Sequence, residues 1–465
     1  MTKYVFCVDV GTTSMKACIF DSKGTLCDSM TLSYDLITEG TFIETDPEIY
    51  VEMMMTAYRK FSEKFEISAV SMDTQGETMI LVDKEGKPLR RAIVWLDDRA
   101  SAEAAAIREK FGEKRVYEVT GQSEISAGFP APKILWIKNH EPEVFAKIHK
   151  VLLLEDWLMY RLTGSFDTER TLQSSSLYLN ISTGEYWQEM LDFIGLPEEK
   201  LPALHESGEK VGEYRGAEVY TGALDQIAGM LGAGTTVPGV ISEMTGTTMA
   251  VAAVVDHIPA WHEGMKIPCH YISKGKFCRL MWSPTAGIAL EWFRDQFAQG
   301  KSFREIDEGV ANVPAGCEGL VMLPYLCGST MPIYNPGIRG VFWGMELKHT
   351  SAHFARAIME SVACMLREYL EYMEADVKEI RSIGGGANSK VWLQMKANIT
   401  GKTVKTLVCS DVACLGCALL ALGETGDGMI AFKSVIEPTA DESFVYEQYH
   451  KVDLRLNIPS GGIQQ

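Results

Sequence analysis

The sequence has no run of about 18 uninterrupted apolar residues, the length a membrane-spanning helix takes, so no transmembrane helix is expected. It is short of positive charge: 44 Lys and Arg stand against 62 Asp and Glu, a net charge of −18 at pH 7. Phosphate backbones and anionic membranes are bound through clustered Lys and Arg, so neither nucleic acid nor membrane is expected as a partner. The eleven cysteines are scattered and odd in number. That speaks against a disulfide framework and fits reduced thiols in a cytoplasm. A single C-x-x-C, Cys414 to Cys417, has no second pair of ligands nearby. Its setting, Ala413-Cys414-Leu415-Gly416-Cys417-Ala418, reads as small residues packed on a buried helix rather than a metal or redox pair. At the start, an acid follows the apolar run within a few residues and no small-residue cleavage site appears, so Tyr4 to Val8 is expected as a first strand, not a signal peptide. No low-complexity segment and no long linker interrupts the chain.

What is present is ordinary globular composition, 46% hydrophobic and 23% charged over 465 residues. That length exceeds what one hydrophobic core supports, so two domains are expected. Two segments open alike. Tyr4 to Val8 leads into Asp9-Val10-Gly11-Thr12-Thr13, and almost half a chain later Val240 to Met244 leads into Thr245-Gly246-Thr247-Thr248, followed by apolar Met249 to Val255. Each reads as a β-hairpin whose turn carries Gly and hydroxyl side chains, and the repeat suggests two copies of one architecture. Further strands are expected at Ala69–Met72 and Met79–Val82, the second closed by the turn Asp83 to Pro88. Helical periodicity marks Arg99–Phe111, Ala131–Asn139 and Val151–Leu162, then Ile288–Phe297, Ala352–Met373, Lys390–Ile399 and Val412–Leu422. Strands alternating with helices give an α/β protein. The domain boundary is placed near Tyr220, giving domains 1–220 and 221–465.

Neither common nucleotide cradle is present: there is no G-x-x-x-x-G-K-[ST] loop and no G-x-G-x-x-G opening a helix. Instead, the first turn offers Gly11, whose amide neighbourhood can approach phosphate, the hydroxyls of Thr12 and Thr13, the charge of Lys16, and Asp9 as an oxygen ligand for Mg²⁺. A polar hairpin without ligand is the plainer reading of that turn taken alone.

The first turn resembles the first phosphate-binding loop of the actin, hexokinase and sugar kinase superfamily, and further segments narrow the resemblance to the FGGY carbohydrate kinases. Gly128-Phe129-Pro130-Ala131-Pro132-Lys133-Ile134-Leu135-Trp136 is similar to that family's first signature. Gly340-Val341-Phe342-Trp343-Gly344-Met345 with His353 to Glu360 resembles its second. Leu323-Pro324-Tyr325-Leu326 and Ser382-Ile383-Gly384-Gly385-Gly386-Ala387-Asn388 fall in the family's order. The resemblance runs from Tyr4 to about Leu422. It implies two ribonuclease H-like domains flanking a cleft, sugar mainly on the first and ATP mainly on the second, with Mg²⁺ as the metal. It assigns Asp9 to the metal, Gly11, Thr12, Thr13, Lys16, Gly246 and Thr247 to the phosphates, and Gly287, Gly385, Gly386, Ala387 and Asn388 to the nucleoside. It makes Asp225, in Thr221-Gly222-Ala223-Leu224-Asp225-Gln226, the catalytic base, with Gln226 beside it at the substrate. A carboxylate suits that role, being ionised at pH 7 and able to take the proton of an attacked hydroxyl. The alternative for Asp225 is a helix N-cap. Leu224 departs from the Gly that usually precedes this Asp.

The acceptor side departs further. Gln75-Gly76-Glu77 stands where glycerol kinases carry Gln-Arg-Glu and xylulokinases Gln-Met-His. Glu77 is expected to accept from a substrate hydroxyl, while Gly76, and Gly128 in place of an aromatic hydroxyl, are expected to leave room for a substrate longer than glycerol. Trp95 either stacks on a sugar face or packs in the core, and Asp97 and Arg99 are expected to pair. The resemblance thus implies a small sugar or polyol as substrate and admits a homodimer. A sugar-binding regulator of the same fold that has lost catalysis is the rival from another class, against which both acids and both turns speak.

Overall fold

The computed structural model describes residues 4–423 and 427–456. Two seven-stranded sheets organise it. In the first, the hairpin Tyr4–Val10 and Ser14–Asp21 is antiparallel, with Leu26–Ser33 on its outer edge. Ile67–Thr74 lies parallel on the inner side of Tyr4–Val10, followed by Ala217–Tyr220 and Lys210–Tyr214. The second sheet repeats this plan. Val240–Thr245 and Met249–Val255 form the hairpin, Lys276–Ser283 continues it outward, and Glu379–Ile383 with Thr403–Leu407 run parallel on the inner side. The two expected hairpins are therefore the matching central strands of two copies of one α/β architecture. Among the described residues no helix is long and apolar enough to cross a membrane.

The central strands are apolar on both faces. Val5 to Val8 and Met249 to Val255 are buried throughout, as strands covered on both sides should be. One core fills the first domain around Phe6, Ile19, Tyr50 and Trp157, and another the second around Met281, Ile358, Leu366 and Trp392. A third lies between them, joining Val5, Cys7, Cys18 and Phe20 of the first sheet to Ile227, Ala228, Cys414 and Ala418. These last four sit on two helices, Asp225–Gly232 and Val412–Leu422. All eleven cysteines are free, and Cys414 and Cys417 are buried on the second of these helices.

Most expected helices appear within about two residues of their predicted bounds: Ser101–Phe111, Pro130–His140, Gly287–Phe297, Ser351–Glu371, Lys390–Thr400 and Val412–Leu422. Val151–Leu162 differs. Lys150–Leu153 is a strand, and the helix begins at Leu154. The strand pairs antiparallel with Met79–Val82, a partner some seventy residues earlier that local periodicity does not reveal.

One detail of the first sheet fixes the site. The two-residue strand Ala223–Leu224 pairs parallel with Asp73 and Thr74, and the chain turns directly from it into the Asp225–Gly232 helix. Asp225 therefore emerges at the same end of the sheet as Asp9 and Asp73, which are themselves paired across neighbouring strands. Gly222 makes this approach feasible, since a Cβ there would stand 1.6 Å from the Met72 carbonyl oxygen. Strands of the first sheet end at Leu224 and those of the second begin at Val240.

Candidate active site

The first turn is tied in place by its own backbone. Gly11 N–H donates to the Ser14 carbonyl at 3.0 Å, Tyr34 N–H to that of Thr13 at 3.0 Å, and the Tyr34 hydroxyl to the Gly11 carbonyl. Gly11 has no left-handed φ, and a Cβ at this position would meet nothing nearer than Ser14 O at 3.5 Å. The turn does not demand the glycine; what the glycine leaves is an open backbone. Gly246 is alike, with nothing within 4 Å of its absent Cβ. Two hydroxyl-bearing turns with open backbone make fitting cradles for phosphate oxygens.

Around the second turn the glycines are close-packed instead. Gly287 N–H donates to Gly246 O at 2.9 Å, and a Cβ on Gly287 would come within 2.3 Å of that oxygen. Ala286 and Ile288 N–H groups reach Thr247 O, both at 3.2 Å. Gly384, at φ +80°, and Gly386 lie against Thr245. Gly385 to Asn388 form a short 3-10 turn before the Lys390–Thr400 helix, with Gly385 and Asn388 exposed. The structure thus gathers Gly246, Thr247, Gly287 and Gly385 to Asn388 on one side. Beneath them is a pair the sequence did not flag. All three ammonium protons of fully buried Lys396 are used, on both Glu243 oxygens and on Thr245 Oγ1, each at 2.9 Å, and Ser382 Oγ adds a bond to Glu243 at 2.7 Å. A buried pair so fully bonded fixes Thr245 beneath the turn.

On the other side carboxyls collect. Asp9 and Asp73 are paired across neighbouring strands, and burial raises both carboxyls above the usual range. Cys417 donates its thiol to Asp73 Oδ2 at 3.2 Å. Lys16 is the cation beside Asp9, but it is bound to Asp411. The Asp225 carboxyl is pushed up to about 7 by burial first, then by the charges of Asp9 and Glu77, against the hydrogen bond it accepts from Gln226 N–H at 2.6 Å. Asp225 is the first residue of its helix, and Leu224 occupies the cap position. The N-cap reading of Asp225 is therefore corrected: it lies one residue inside.

Crowded acids with one engaged cation are a setting in which a hard divalent ion is favourable. Among the described residues no three acids, histidines or cysteines are disposed as a closed cage. Carboxylate oxygens beside an open turn are the kind of donor set that Mg²⁺ takes, one or two carboxylates with water completing its shell.

Glu77 stands at φ +62°, and burial raises its carboxyl while lowering its partner Lys133. Lys133 is fully buried and donates to the carbonyls of Val94 at 2.9 Å and Glu77 at 3.3 Å. Trp95 is 39% exposed, so core packing does not describe it; its indole N–H donates to Thr12 Oγ1 at 3.0 Å. Arg99 grips both oxygens of Asp97 at 2.7 Å, reaches Glu44 at 2.6 Å and covers the Phe42 ring, so the expected pair is present. Gln75 is buried beneath the first turn, where its N–H donates to the Val10 carbonyl at 2.9 Å.

The room expected beside the acceptor glycines is taken up. A Cβ on Gly76 would stand 2.8 Å from Ser175 Oγ and 2.9 Å from Leu224 Cδ1, and one on Gly128 would stand 2.9 Å from Trp95 O. Neighbouring groups have closed onto both missing side chains. Sequence reasoning passed over Asp73, Lys133, Ser175 and Asp411. Lys133 and Asp73 lay within quoted segments without being given a role; Ser175 and Asp411 reach the site through tertiary packing.

Two matched domains, each presenting a glycine–hydroxyl turn, with carboxyls between them, define a two-domain α/β phosphotransferase. The comparisons make this specific. The profile of the FGGY family of carbohydrate kinases, N-terminal domain, matches residues 4–243, and that of the C-terminal domain matches residues 275–423. A xylulose kinase of Bacillus subtilis is 32% identical, over 91% of this chain and 89% of its own. A gluconokinase of Bacillus licheniformis is 28% identical, over 92% of this chain and 88% of its own. The crystal structure of a ligand-bound xylulose kinase from Lactobacillus acidophilus superposes with a TM-score of 0.89 at 24% identity, covering 99% of both chains. The chain belongs to the FGGY family of carbohydrate kinases and is xylulokinase-like, and membership implies ATP as phosphoryl donor.

Proposed function

We propose that this enzyme transfers the γ-phosphoryl group of Mg²⁺-bound ATP to a hydroxyl of a neutral pentulose, hexulose or alditol in the cytoplasm, in line, with Asp225 as general base. The observation that carries the reading is the position of Asp225. It is a half-buried carboxyl opening a helix at the sheet end shared with Asp9 and the first phosphate turn, and it is held near neutrality. A group of that kind takes the acceptor's proton as the new bond forms. Asp9 would hold the ion, Thr12 and Thr13 together with Gly246 and Thr247 would hold the phosphates, with Lys16 joining them by exchanging its bond to Asp411, and Gly287 with Gly385 to Asn388 would hold the nucleoside. The ion neutralises charge on the transferring group. Residues 1–220 would carry the acceptor, through Glu77 and Trp95 with Gln75 and Gly76 behind them, and residues 221–465 the nucleotide.

Electrostatics favours a neutral acceptor over a sugar acid, although gluconokinases are among the relatives. Asp225 and Glu77 act on each other as like charges, and the nearby cations Lys133, Arg99 and Lys16 are each engaged by carbonyls or carboxylates. A substrate carboxylate about 5 Å from one uncompensated acid would lose about 3 kcal/mol at an effective dielectric near 20. ADP release measured over xylulose, ribulose, xylitol, glycerol and gluconate tests this. A neutral ketose or polyol should give the highest kcat/KM, with gluconate at least about tenfold lower. Gluconate as the best substrate would overturn the neutral-acceptor reading, and turnover of none of a wider sugar panel would overturn the kinase reading.

A further inference from the structure

Gly76 lies between Gln75 and Glu77, and the place of its missing side chain is filled from two other parts of the chain. Leu224 Cδ1 stands 2.9 Å from where the Cβ would be, and Ser175 Oγ 2.8 Å. Leu224 is held there by its backbone. Its strand pairs it with Thr74, two residues before Gly76, and its N–H donates to Thr171 Oγ1 at 2.9 Å. Ser175 is fully buried and donates its hydroxyl to Leu172 O at 2.9 Å. Ser175 can rotate its hydroxyl away, since its Cβ is 3.7 Å from the absent carbon; Leu224, in a packed core, has no such freedom.

These contacts set one aliphatic side chain against Gly76, on the strand that leads directly into one of the two carboxyls proposed to meet the acceptor. Leu224 directly precedes Asp225 in sequence and covers the residue directly before Glu77. We propose that Leu224 is the specificity-determining residue of the acceptor site: it occupies the volume that residue 76 gives up and so sets the depth of the pocket between Glu77 and Asp225. The acceptor this fits is a neutral polyhydroxy chain whose C–H edge runs over Gly76, backed by the buried Leu224, while one hydroxyl meets Glu77 and another Asp225. The inference rests on the kinase reading above. It adds that acceptor length is read by a side chain on the strand leading into the base, and that positions 76 and 224 act as a pair.

The test compares wild type, Gly76→Ala, Leu224→Ala, the milder Leu224→Val and the double variant Gly76→Ala/Leu224→Ala. Phosphorylation is measured on neutral acceptors of three to six carbons, with melting temperatures alongside. Leu224→Ala should shift the ratio of kcat/KM for six-carbon over five-carbon acceptors upward by about tenfold, with Leu224→Val between it and wild type. Such a shift is not expected from simple loss of stability, which scales all acceptors together. Gly76→Ala alone should lose about tenfold or more in kcat/KM and lower the melting temperature. The double variant should regain part of both losses, because removing the leucine makes space for the new Cβ. Unchanged chain-length preference in both Leu224 variants would overturn the inference while leaving the kinase reading intact, as would independent multiplication of the two single-variant effects. A wild-type protein inactive on every acceptor would overturn the kinase reading and this inference with it.

Discussion

Asp225 and Asp9 are neighbours whose charges cannot be considered separately, since each acid near Asp225 raises its proton affinity. A general base works deprotonated. With its carboxyl pushed up to about 7, Asp225 should make kcat/KM climb as pH rises toward neutrality and level off above it, the opposite of what a general acid would give. Asp225→Ala should lower kcat by about 10² or more, with little change in KM for ATP. Asp225→Asn should be nearly as damaging, because the amide keeps the Gln226 N–H bond but cannot take a proton. Should Asp225 serve only to stabilise its helix, the Asn variant would retain full kcat and its melting temperature. Assay of both variants with melting curves decides between the two. Asp9→Asn would remove the proposed metal ligand and also the foremost like charge acting on Asp225. It should raise the Mg²⁺ concentration needed for half-maximal rate and shift the acid limb of the residual activity to lower pH, while acceptor binding measured by calorimetry stays close to wild type. A parallel loss of acceptor affinity would count against assigning Asp9 to the metal.

The helices Asp225–Gly232 and Val412–Leu422 cross with almost no space between their backbones, and two glycines allow it. A Cβ on Gly232 would stand 1.8 Å from Val412 O, and one on Gly416 would stand 2.0 Å from Ala228 O. Because the first of these helices begins with Asp225, spreading the crossing should move the base. Gly416→Ala should cost about 1–3 kcal/mol of stability by overpacking and lower kcat as well, read by thermal melts and steady-state rates. Gly229→Ala is the control on the same helix: nothing lies within 4 Å of its absent Cβ, so the gain in helix propensity, up to about 1 kcal/mol, should leave the protein equally or more stable. Equal damage from both substitutions would mean that close packing at the crossing is not what matters. This crossing also explains why Cys414 and Cys417 look like a motif and are not arranged as one. They flank Gly416 on a buried helix, where Cys414 Sγ lies 3.9 Å from Lys16 O and Cys417 bonds Asp73. Elements that announce themselves locally were legible in the sequence. Both hairpins were, through apolar runs ending in Gly-Thr-Thr, and so were helices with unbroken periodicity such as Lys390–Thr400. The strand Lys150–Leu153 was hidden, because the apolar residues Val151, Leu152 and Leu153 ahead of a helix continue its pattern and only pairing with Met79–Val82 tells them apart. The candidate site divides in the same way. Residues on the glycine–hydroxyl turns could be found by motif, whereas Ser175 and Asp411 arrive by tertiary packing. The effect of Gly76 was misjudged because a missing side chain reads as space until the neighbour that fills it is seen.

At the scale of the whole molecule, the two glycine–hydroxyl turns proposed to cradle phosphate lie on different sheets, the first on the sheet that contains Tyr4–Val10 and the second on the sheet that contains Val240–Thr245. One nucleotide triphosphate has to be held from both sides, and transfer to a sugar rather than to water requires that water be excluded as the acceptor arrives. The domains are joined by the apolar core around the two crossing helices and by the Lys16–Asp411 ion pair. Polar ties add to these: Cys269 N–H to Gly121 O at 2.8 Å, the Tyr271 hydroxyl to Glu206 at 2.8 Å and Lys266 to Glu113 at 3.2 Å. A packed core resists being pulled apart but tolerates small rotation, while the part-exposed Tyr271–Glu206 and Lys266–Glu113 ties contribute little and can be exchanged, so closure is expected as a rotation about the helix crossing. A compact chain of this length has a radius of gyration of about 23 Å. Small-angle scattering should give a larger value for the free protein than for the protein with nucleotide and acceptor bound together, with either ligand alone producing less contraction. Asp225→Asn makes the measurement clean, because it should bind ATP, Mg²⁺ and acceptor without consuming them. If closure excludes water, the wild type should also release ADP much more slowly without acceptor than with it. Identical scattering profiles in all four ligand states, together with acceptor-independent ADP release at the full rate, would show that the two turns are already in place around the nucleotide and that no closing motion serves the reaction.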